Sequence, residues 1–275
     1  MRHFNPLPDV PARILASDLD GTLIPLPDHA GNTNDLKAIK TAHDAGELPL
    51  VFATGRHFES VLEAIAQYQL PEPEWIVCDV GSRIYRRMGL NYENFEPYEA
   101  HLQDLVGDSE RDVIERLLAD LPGLELQRPE HQTEHKISYQ CAAGVLEKLT
   151  TEVRQRLEQA AVPYSALGGL DPFLNIGLID VLPGTVNKAY ALIWLATHAD
   201  FKPDEVVYAG DSGNDEAALA CGFRAIVVQN SSPGLADRVH ESLASDGQAE
   251  RLFQASATAT SGVLEGLRHF GLMPS

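Results

Sequence analysis

Two carboxylates stand at the end of a short apolar segment near the start of the chain. Asp18 and Asp20 directly follow Ile14–Ser17, and Gly21 comes next. Such an apolar run predicts a buried parallel strand, and the carboxyl ends of parallel strands form the ligand crevice of an open sheet. On a continuing strand the two side chains would point to opposite faces, so Gly21 is predicted to curl the backbone and bring both to one centre. A solvated strand end is the alternative interpretation of so short a motif.

A second acidic group occurs in the last third of the chain. The segment Ala209–Asp215 reads Ala-Gly-Asp-Ser-Gly-Asn-Asp and follows the apolar residues Val206–Tyr208. Asp211 and Asp215 offer hard oxygen ligands of the kind that Mg²⁺ prefers, and Asn214 lies between them. We therefore predict a magnesium site here. A helix N-terminus capped by acidic residues is the alternative.

A third motif, Thr54, Gly55 and Arg56, follows the apolar segment Leu48–Phe52. A strand that ends in this way just before a helix places a hydroxyl group and backbone N–H groups at the helix N-terminus, which suits an anion. An ordinary strand-to-helix turn can have the same sequence, so this motif alone does not decide between the two.

The composition of the chain limits its partners. Its 275 residues include 21 Lys and Arg against 40 Asp and Glu, a formal charge of −19, which disfavours nucleic acids and anionic membrane surfaces. No segment is apolar for long enough to span a bilayer or to serve as a signal peptide, so a cytoplasmic location is expected. Three widely spaced cysteines predict reduced thiols. The chain is also expected to act as a monomer.

Strands that alternate with helices predict a doubly wound α/β core with a parallel sheet, interrupted by an α+β insert. The core is expected at residues 1–98 and 183–275, and the insert at residues 99–182. One core helix is expected to be capped by Thr33 or Asn34 and to end at Gly46. For the insert, the patterns predict helices at Val113–Leu121 and Val145–Ala160 and strands at Lys136–Cys141 and Phe173–Leu182. They also predict that Pro163–Pro172 forms a turn that overhangs the site.

His131 and His135 have the spacing that could hold a transition metal on a helix. Pro129 argues against a continuing helix, and the residues after His135 have the pattern of a strand. A polar loop is therefore the preferred interpretation, in which Glu134, His135 and Lys136 could reach a sugar.

Together the motifs resemble those of the haloacid dehalogenase (HAD) superfamily. Its first motif has the form Asp-x-Asp-Gly-Thr after a strand, and its second contains a Thr or Ser hydroxyl, here Thr54. Its third motif is a lysine, here Lys188, followed by a helix, a strand and the acidic fourth motif. The resemblance implies a Rossmannoid parallel-sheet core with a C2-type cap inserted after the third core strand.

The resemblance also implies catalytic roles. Asp18 would form an aspartyl phosphate, and Asp20 would protonate the leaving oxygen and later take a proton from water. Thr54 and Lys188 would hold the phosphoryl oxygens. The implied ligands of Mg²⁺ are Asp18, Asp20 through its backbone carbonyl, Asp211 and Asp215. The predicted substrate-binding residues are Thr54, Gly55, Arg56, Lys136, Gly168, Lys188 and Asn214.

Three further stretches resemble the sucrose-phosphatase group, which includes mannosylfructose-phosphate phosphatases. They are Glu134–Tyr139, Ile179–Pro183 followed by Lys188, and Ser261–Gly271. The similarity implies a Mg²⁺-dependent phosphatase acting on a sugar phosphate, foremost sucrose 6-phosphate, with a glycosyl-transferring synthase upstream. A phosphatase for mannosylfructose phosphate or another sugar phosphate, a phosphomannomutase-like phosphomutase and an inactive sugar-phosphate sensor stay open as alternatives.

Overall fold

The chain folds into two compact units. The computed structural model describes residues 10–107, 111–171 and 174–274. The described residues up to Asn94 and from Lys188 onward form one unit, called here the core unit. Residues Phe95–Asn187 form the other, called here the insert unit.

The first part of the core unit alternates strands with helices and ends in an antiparallel hairpin. Its elements are β1 (Ile14–Ser17), a tight turn at Leu19–Leu23, α1 (Ala30–Asp44), β2 (Leu50–Ala53), α2 (Phe58–Tyr68), β3 (Trp75–Cys78), β4 (Arg83–Met88) and β5 (Asn91–Asn94). Each of the strands β1 and β2 is buried along its whole length, as their unbroken apolar sequences predict. On the hairpin, Arg86 stacks over the ring of Trp75 and Arg87 pairs with Glu74.

The insert unit has an antiparallel sheet with helices packed on one face. Its elements are α3 (Glu96–Val106), α4 (Arg111–Leu118), β6 (Glu125–Leu126), β7 (Ile137–Ala142), α5 (Leu146–Gln159), β8 (Tyr164–Asp171) and β9 (Ile176–Pro183). The strand order is β6-β7-β9-β8. Apolar side chains of β7, including Ile137 and Tyr139, pack in one cluster with Leu118 of α4 and Val153 of α5. Because side chains alternate along a strand, Ser138 lies on the opposite face.

The core unit resumes after the insert. Its remaining elements are α6 (Lys188–Ala196), β10 (Val206–Gly210), α7 (Glu216–Leu219), β11 (Arg224–Val227), α8 (Leu235–Ser245), β12 (Leu252–Gln254) and α9 (Ala259–His269). The core sheet has eight strands in the order β12-β11-β10-β1-β2-β3-β4-β5. The pairs from β12 to β3 are parallel. This mixed sheet with a parallel centre is the predicted α/β core.

The order of the core strands places a switch point beside β1. After β1 the chain adds β2 and β3 on one side, and after the insert it adds β10, β11 and β12 on the other. Open α/β sheets bind ligands at the carboxyl ends of strands at such a point. The edge formed by the ends of β1 and β10 is therefore the expected place for a site.

Two predictions of local structure are wrong. The predicted turn Pro163–Pro172 is mostly strand β8, which pairs with β9 along its length. Its Gly168 reflects close packing, since a Cβ there would lie 2.5 Å from Oγ1 of Thr150 on α5. Pro172, like Phe173 of the predicted strand Phe173–Leu182, lies outside the described residues. Helix α1 begins at Ala30, before the predicted start.

None of the helices in the described part of the chain has the length and apolar character that crossing a membrane requires.

Candidate active site

Parallel pairing of β1 with β10 brings the two acidic motifs together. Ser17 is opposite Ala209, and the N–H of Asp18 donates to the carbonyl of Ala209 at 2.9 Å. Carboxylate oxygens of Asp18, Asp211 and Asp215 all lie within 4.8 Å of one another. We call these three residues the acid cluster. The central geometric prediction, that the acids after the two strands converge at one place, is thus met by the positions of Asp18 and Asp211.

The turn after β1 closes against Asp211. Gly21 has a φ of +73°, and a Cβ on it would lie 2.4 Å from Oδ2 of Asp211. Only glycine combines this backbone conformation with so close an approach. The next residue, Thr22, donates its hydroxyl hydrogen bond to Oδ1 of Asp211 at 3.0 Å. The turn predicted at Gly21 therefore serves to seat the backbone on Asp211.

Lys188 supplies a positive charge inside the acid cluster. Its Nζ donates to Oδ1 of Asp18 at 2.8 Å, to Oδ1 of Asp215 at 2.8 Å and to Oδ1 of Asn214 at 3.0 Å. The side chain is completely buried. Burial alone would lower the pKa of the ammonium group, but the carboxylates of Asp18 and Asp215 outweigh it and the pKa is raised. Lys188 is therefore charged at neutral pH.

Asp215 has both oxygens engaged by protein donors. Oδ1 accepts from Lys188 and from the hydroxyl of Tyr208 at 2.5 Å. Oδ2 accepts from the N–H of Asp211 and from the N–H and hydroxyl of Ser212. A Cβ on Gly210 would lie 2.6 Å from Cβ of Asp215, so glycine is needed for the loop to fold back on this carboxylate. Asp215 thus holds the loop and Lys188 in place.

The acid cluster carries more negative charge than Lys188 can balance. Burial raises the pKa of Asp18 well above its ordinary value, and the charge of Asp215 raises it further. The same two causes raise the pKa of Asp211 to about 7. Three carboxylates beside one ammonium group must take up protons or a cation. The donor set and its surplus charge therefore fit a divalent cation with oxygen ligands.

Asp20 forms an ion pair with Arg56. Its two oxygens accept from Nη2 and Nε of Arg56, each at 2.7 Å, in a bidentate ion pair. The carboxylate is 38% exposed, whereas Asp18 is buried. That Gly21 brings both carboxylates to one centre therefore stays a prediction for Asp20, whose two oxygens contact Arg56.

The Thr54 motif lies at the end of β2 and leads into α2. Thr54 is buried, and its hydroxyl oxygen accepts from the N–H of Arg56 at 3.2 Å. His57 caps α2 by accepting from the N–H of Ser60. Gly55 lies beside Asn214, since a Cβ on it would be 3.8 Å from Nδ2 of that residue. The predicted phosphoryl-binding residues of the core unit therefore lie next to one another.

The predicted sugar-binding residues of the insert unit lie apart from each other. Lys136 is buried just before β7, with Nζ 3.9 Å from Oδ1 of Asp180, which accepts from the hydroxyl of Ser138 at 2.6 Å. Lys136, Ser138 and Asp180 are called here the insert face. Gly168, by contrast, is directed towards Thr150 on the helix-covered side of the sheet.

His131 and His135 do not lie on one helix, as the loop interpretation predicts, and contact of this loop with a sugar stays a prediction. His131 ends a short 3-10 turn, and residues 132–136 lie outside helices and strands. His135 lies near the carboxylates of Glu99 and Glu134. The spacing of His131 and His135 therefore has no helix on which to form a metal site.

Three residues that support the site were missed by sequence reasoning. Tyr208, which donates to Asp215, lies within a strand whose other residues are apolar, so the pattern indicated only a buried strand. Thr22, which donates to Asp211, was noted only as part of the first motif and had no predicted role. Asn230 donates from Nδ2 to the carbonyl of Gly21 at 2.7 Å and accepts at Oδ1 from the N–H of Ala259 at 2.7 Å. A signal for Asn230 was available, since it is a polar residue just after β11, the strand next to β10.

Comparison with known proteins identifies a protein family that matches nearly the whole chain. The family described as sucrose-6F-phosphate phosphohydrolase matches residues 11–271. The mannosylfructose-phosphate phosphatase of Agrobacterium fabrum is 28% identical over 274 residues, covering 96% of this chain and 99% of that protein. The glucosylglycerol-phosphate synthase of Pseudomonas anguilliseptica is 30% identical over 268 residues, covering 94% of this chain and 31% of that protein.

A solved structure is similar along the full length of both chains. The sucrose-phosphatase from Synechocystis sp. PCC6803, in complex with sucrose and phosphate, has a TM-score of 0.77 and 25% identity over 95% of this chain and 99% of that chain. The predicted HAD fold and the resemblance to sucrose-phosphatases are confirmed. The chain is a phosphoric monoester hydrolase that acts on a sugar phosphate. Because the matched residues include both strand-end motifs and the whole insert, the chain belongs to the sucrose-6F-phosphate phosphohydrolase family of the HAD superfamily.

Proposed function

We propose that the chain is a Mg²⁺-dependent phosphatase that converts sucrose 6-phosphate to sucrose and phosphate through an aspartyl phosphate on Asp18. One observation carries the proposal. The Asp18 carboxylate lies at the switch point, accepts a hydrogen bond from buried Lys188, and has an oxygen within 4.8 Å of a carboxylate oxygen of Asp211. A nucleophile, a positive charge and a second carboxylate at one strand edge are what phosphoryl transfer through a covalent intermediate requires.

The proposed reaction has two steps. In the first, an oxygen of Asp18 forms a bond to phosphorus, the bond from phosphorus to the sugar oxygen breaks, and Asp20 gives its proton to that oxygen. In the second, water attacks the same phosphorus and gives a proton to Asp20, while the bond to Asp18 breaks. Phosphate leaves, and both acids return to their starting states. The net reaction consumes one water molecule for each sugar phosphate.

The acid cluster supplies the proposed metal site. Asp18 and Asp211 would hold Mg²⁺ by their side chains, together with the backbone carbonyl of Asp20. Asp215, whose oxygens already accept from five donor groups, would act through Lys188 and the loop. When bound, Mg²⁺ would offset the repulsion between the carboxylate nucleophile and the phosphate dianion.

The phosphoryl group is proposed to bind between the acid cluster and the start of α2. Lys188 would contact one phosphoryl oxygen, and the hydroxyl of Thr54 with the N–H of Gly55 would contact others. Asn214 lies beside Gly55 and accepts a hydrogen bond from Lys188. It would therefore hold Gly55 and Lys188 in position around the phosphoryl group. A helix N-terminus next to these groups adds N–H donors and a favourable dipole.

The sugar is proposed to be recognised by the insert face. One ammonium group, one carboxylate and one hydroxyl lie together there, so the face has donors and acceptors without surplus charge. A neutral, hydroxyl-rich disaccharide matches that balance. The family description and the structural likeness to a sucrose-phosphatase support sucrose 6-phosphate, while the mannosylfructose-phosphate phosphatase relative supports a second candidate, mannosylfructose phosphate.

A phosphate-release assay tests the proposal. The chain is incubated with sucrose 6-phosphate, mannosylfructose phosphate, trehalose 6-phosphate and hexose phosphates, with Mg²⁺ or with a chelator. We expect the highest kcat/KM for sucrose 6-phosphate and no release with the chelator. Preference for another sugar phosphate would overturn the substrate. Transfer of phosphate within the sugar without release would indicate a mutase, and no turnover would indicate a sensor.

The pathway context and location are proposals as well. A glycosyl-transferring synthase is proposed to supply the substrate, in line with the similarity to a synthase that is a longer protein. Cys78, Cys141 and Cys221 are free thiols, as expected in a reducing compartment, and the cytoplasmic location and monomeric state stay predictions.

A further inference from the structure

The ion pair between Asp20 and Arg56 has an unusually well-defined geometry for a partly exposed pair. Both oxygens of Asp20 accept from the guanidinium, at 2.7 Å from Nε and 2.7 Å from Nη2. A bidentate arginine-carboxylate pair fixes the plane of the carboxylate as well as its position. The orientation of Asp20 is therefore set by Arg56.

Arg56 is itself anchored to helix α2. Its Nη1 donates to the backbone carbonyl of Ser60 at 3.3 Å and to the hydroxyl of Ser60 at 3.1 Å. Its backbone N–H donates to the hydroxyl oxygen of Thr54. A guanidinium has five N–H groups. The two contacts with Asp20 and the two with Ser60 engage four of them. One guanidinium N–H is left, so the predicted role of Arg56 in substrate binding stays a prediction, and its contacts with Asp20 and Ser60 are the observed ones.

The requirements of the proposed reaction give this arrangement a purpose. Asp20 must bring one oxygen to the leaving oxygen of the sugar and keep a fixed direction while a proton is transferred. A carboxyl group on a turn can rotate about its side-chain bonds, and a misplaced acid loses much of its effect. In the first step Asp20 must carry a proton, and one of its two contacts with Arg56 would then open. The other oxygen can keep its hydrogen bond to the guanidinium and hold the direction of the acid.

We propose that Arg56 is a positioning residue that orients Asp20 for proton transfer to the leaving oxygen, and that Ser60 anchors Arg56 for this purpose. The proposal rests on the function proposed above. It assigns the direction of the proton transfer to a side chain that contacts Asp20 and not the nucleophile. It predicts that, in the first step of the reaction, Arg56 matters only where the leaving group needs a proton.

A series of leaving groups tests this assignment. p-Nitrophenolate leaves without protonation, phenolate is intermediate, and the alkoxide of a sugar must be protonated. Because kcat/KM reports the steps up to release of the leaving group, it excludes the second step, in which Asp20 takes a proton whatever the substrate. For Arg56→Gln we expect kcat/KM on the sugar phosphate to fall by about 10²-fold, the lower range for general acid catalysis, with kcat/KM on p-nitrophenyl phosphate within about threefold of wild type. Arg56→Lys, which keeps the charge but lacks the planar fork, is expected to recover only part of the loss.

Two further variants separate positioning from a general effect. Ser60→Ala removes one anchor of Arg56 and should give a smaller loss with the same dependence on the leaving group. Arg86→Gln makes the same change of charge at a side chain stacked on Trp75 and should leave all the rates close to those of wild type.

The outcomes distinguish the two proposals. An equal loss of kcat/KM on every substrate would overturn the positioning role and indicate contact with the phosphoryl group. Full activity of Arg56→Gln on the sugar phosphate would overturn it too. If the wild-type chain releases phosphate from aryl phosphates but from no sugar phosphate, the proposed function fails instead.

Discussion

The acid cluster of the core unit and the insert face of the insert unit are both buried polar groups, but they differ in charge balance. Three carboxylates share one ammonium group in the acid cluster, whereas one carboxylate lies near one ammonium group on the insert face. Burying unbalanced charge raises carboxylate pKa values, as it does for Asp18 and Asp211. An unbalanced cluster favours binding a cation, whereas a balanced face suits a neutral ligand.

The two regions also differ in where their residues lie on their respective sheets. The residues of the acid cluster follow the ends of β1 and β10, where the backbone leaves the sheet and can turn towards a ligand. Ser138 and Asp180 of the insert face lie opposite each other within β7 and β9, and Lys136 immediately precedes β7. We therefore expect changes in the acid cluster to affect every substrate, and changes on the insert face to affect only substrates that carry a sugar.

The largest effect is expected from the nucleophile. Asp18→Asn keeps the shape of the side chain but removes the carboxylate, and kcat should fall by about 10⁴-fold or more on both sucrose 6-phosphate and p-nitrophenyl phosphate. Initial rates with both substrates measure it. Asp28→Asn, an exposed acid after the same turn, is the control and should retain full activity. A near-normal rate for Asp18→Asn would remove the acid cluster from the chemistry.

A smaller and selective effect is expected on the insert face. Lys136→Met keeps the length of a buried side chain but removes its ammonium group, and we expect KM for sucrose 6-phosphate to rise by about 10-fold to 100-fold. The kcat/KM for p-nitrophenyl phosphate should not change. Lys148→Met, at an exposed position on α5, is the matched control. Equal losses on the two substrates would contradict the contrast between the two regions.

The next prediction concerns stability alone. In Gly168→Ala the new methyl group meets Thr150 Oγ1, and we expect the free energy of unfolding to fall by about 1–3 kcal/mol. Gly169→Ala has nothing within 4 Å of the added methyl group and should change stability by less than about 0.5 kcal/mol. Urea denaturation measures both. If Gly168→Ala raises KM without loss of stability, the predicted substrate contact of Gly168 is correct after all.

The smallest effect is a pH dependence of metal binding. Asp211 has a pKa of about 7, so it gains a proton as the pH falls through that value. Because a cation must displace this proton, the affinity for Mg²⁺ should weaken by several-fold from about pH 8 to about pH 6. Titration calorimetry at several pH values measures the change. Thr22→Val removes a hydrogen bond that lowers the pKa of Asp211 and should move the transition to higher pH. A pH-independent affinity would show that Asp211 does not control the site.

Much of the architecture was predictable because its signals are local. Unbroken apolar runs identified β1, β2 and β10, and the polar residues after each run identified the edge at which Asp18, Thr54 and Asp211 lie. The insert was predictable for the same reason, since β7 alternates between apolar and polar residues. The turn prediction failed at Gly168. Glycine is required there because Thr150 on a neighbouring helix leaves no space for a side chain, and not because the backbone turns.

The sequence by itself determined the strands, the helices and the types of side chain available for chemistry, because apolar periodicity and polar strand ends are properties of short segments. Only the tertiary structure decided which of those side chains share a site. Pairing of β1 with β10 joined Asp18 to Asp211, and the end of β2 brought Arg56 to both oxygens of Asp20. These contacts join distant parts of the chain, so they depend on strand order and side-chain geometry that no local pattern contains.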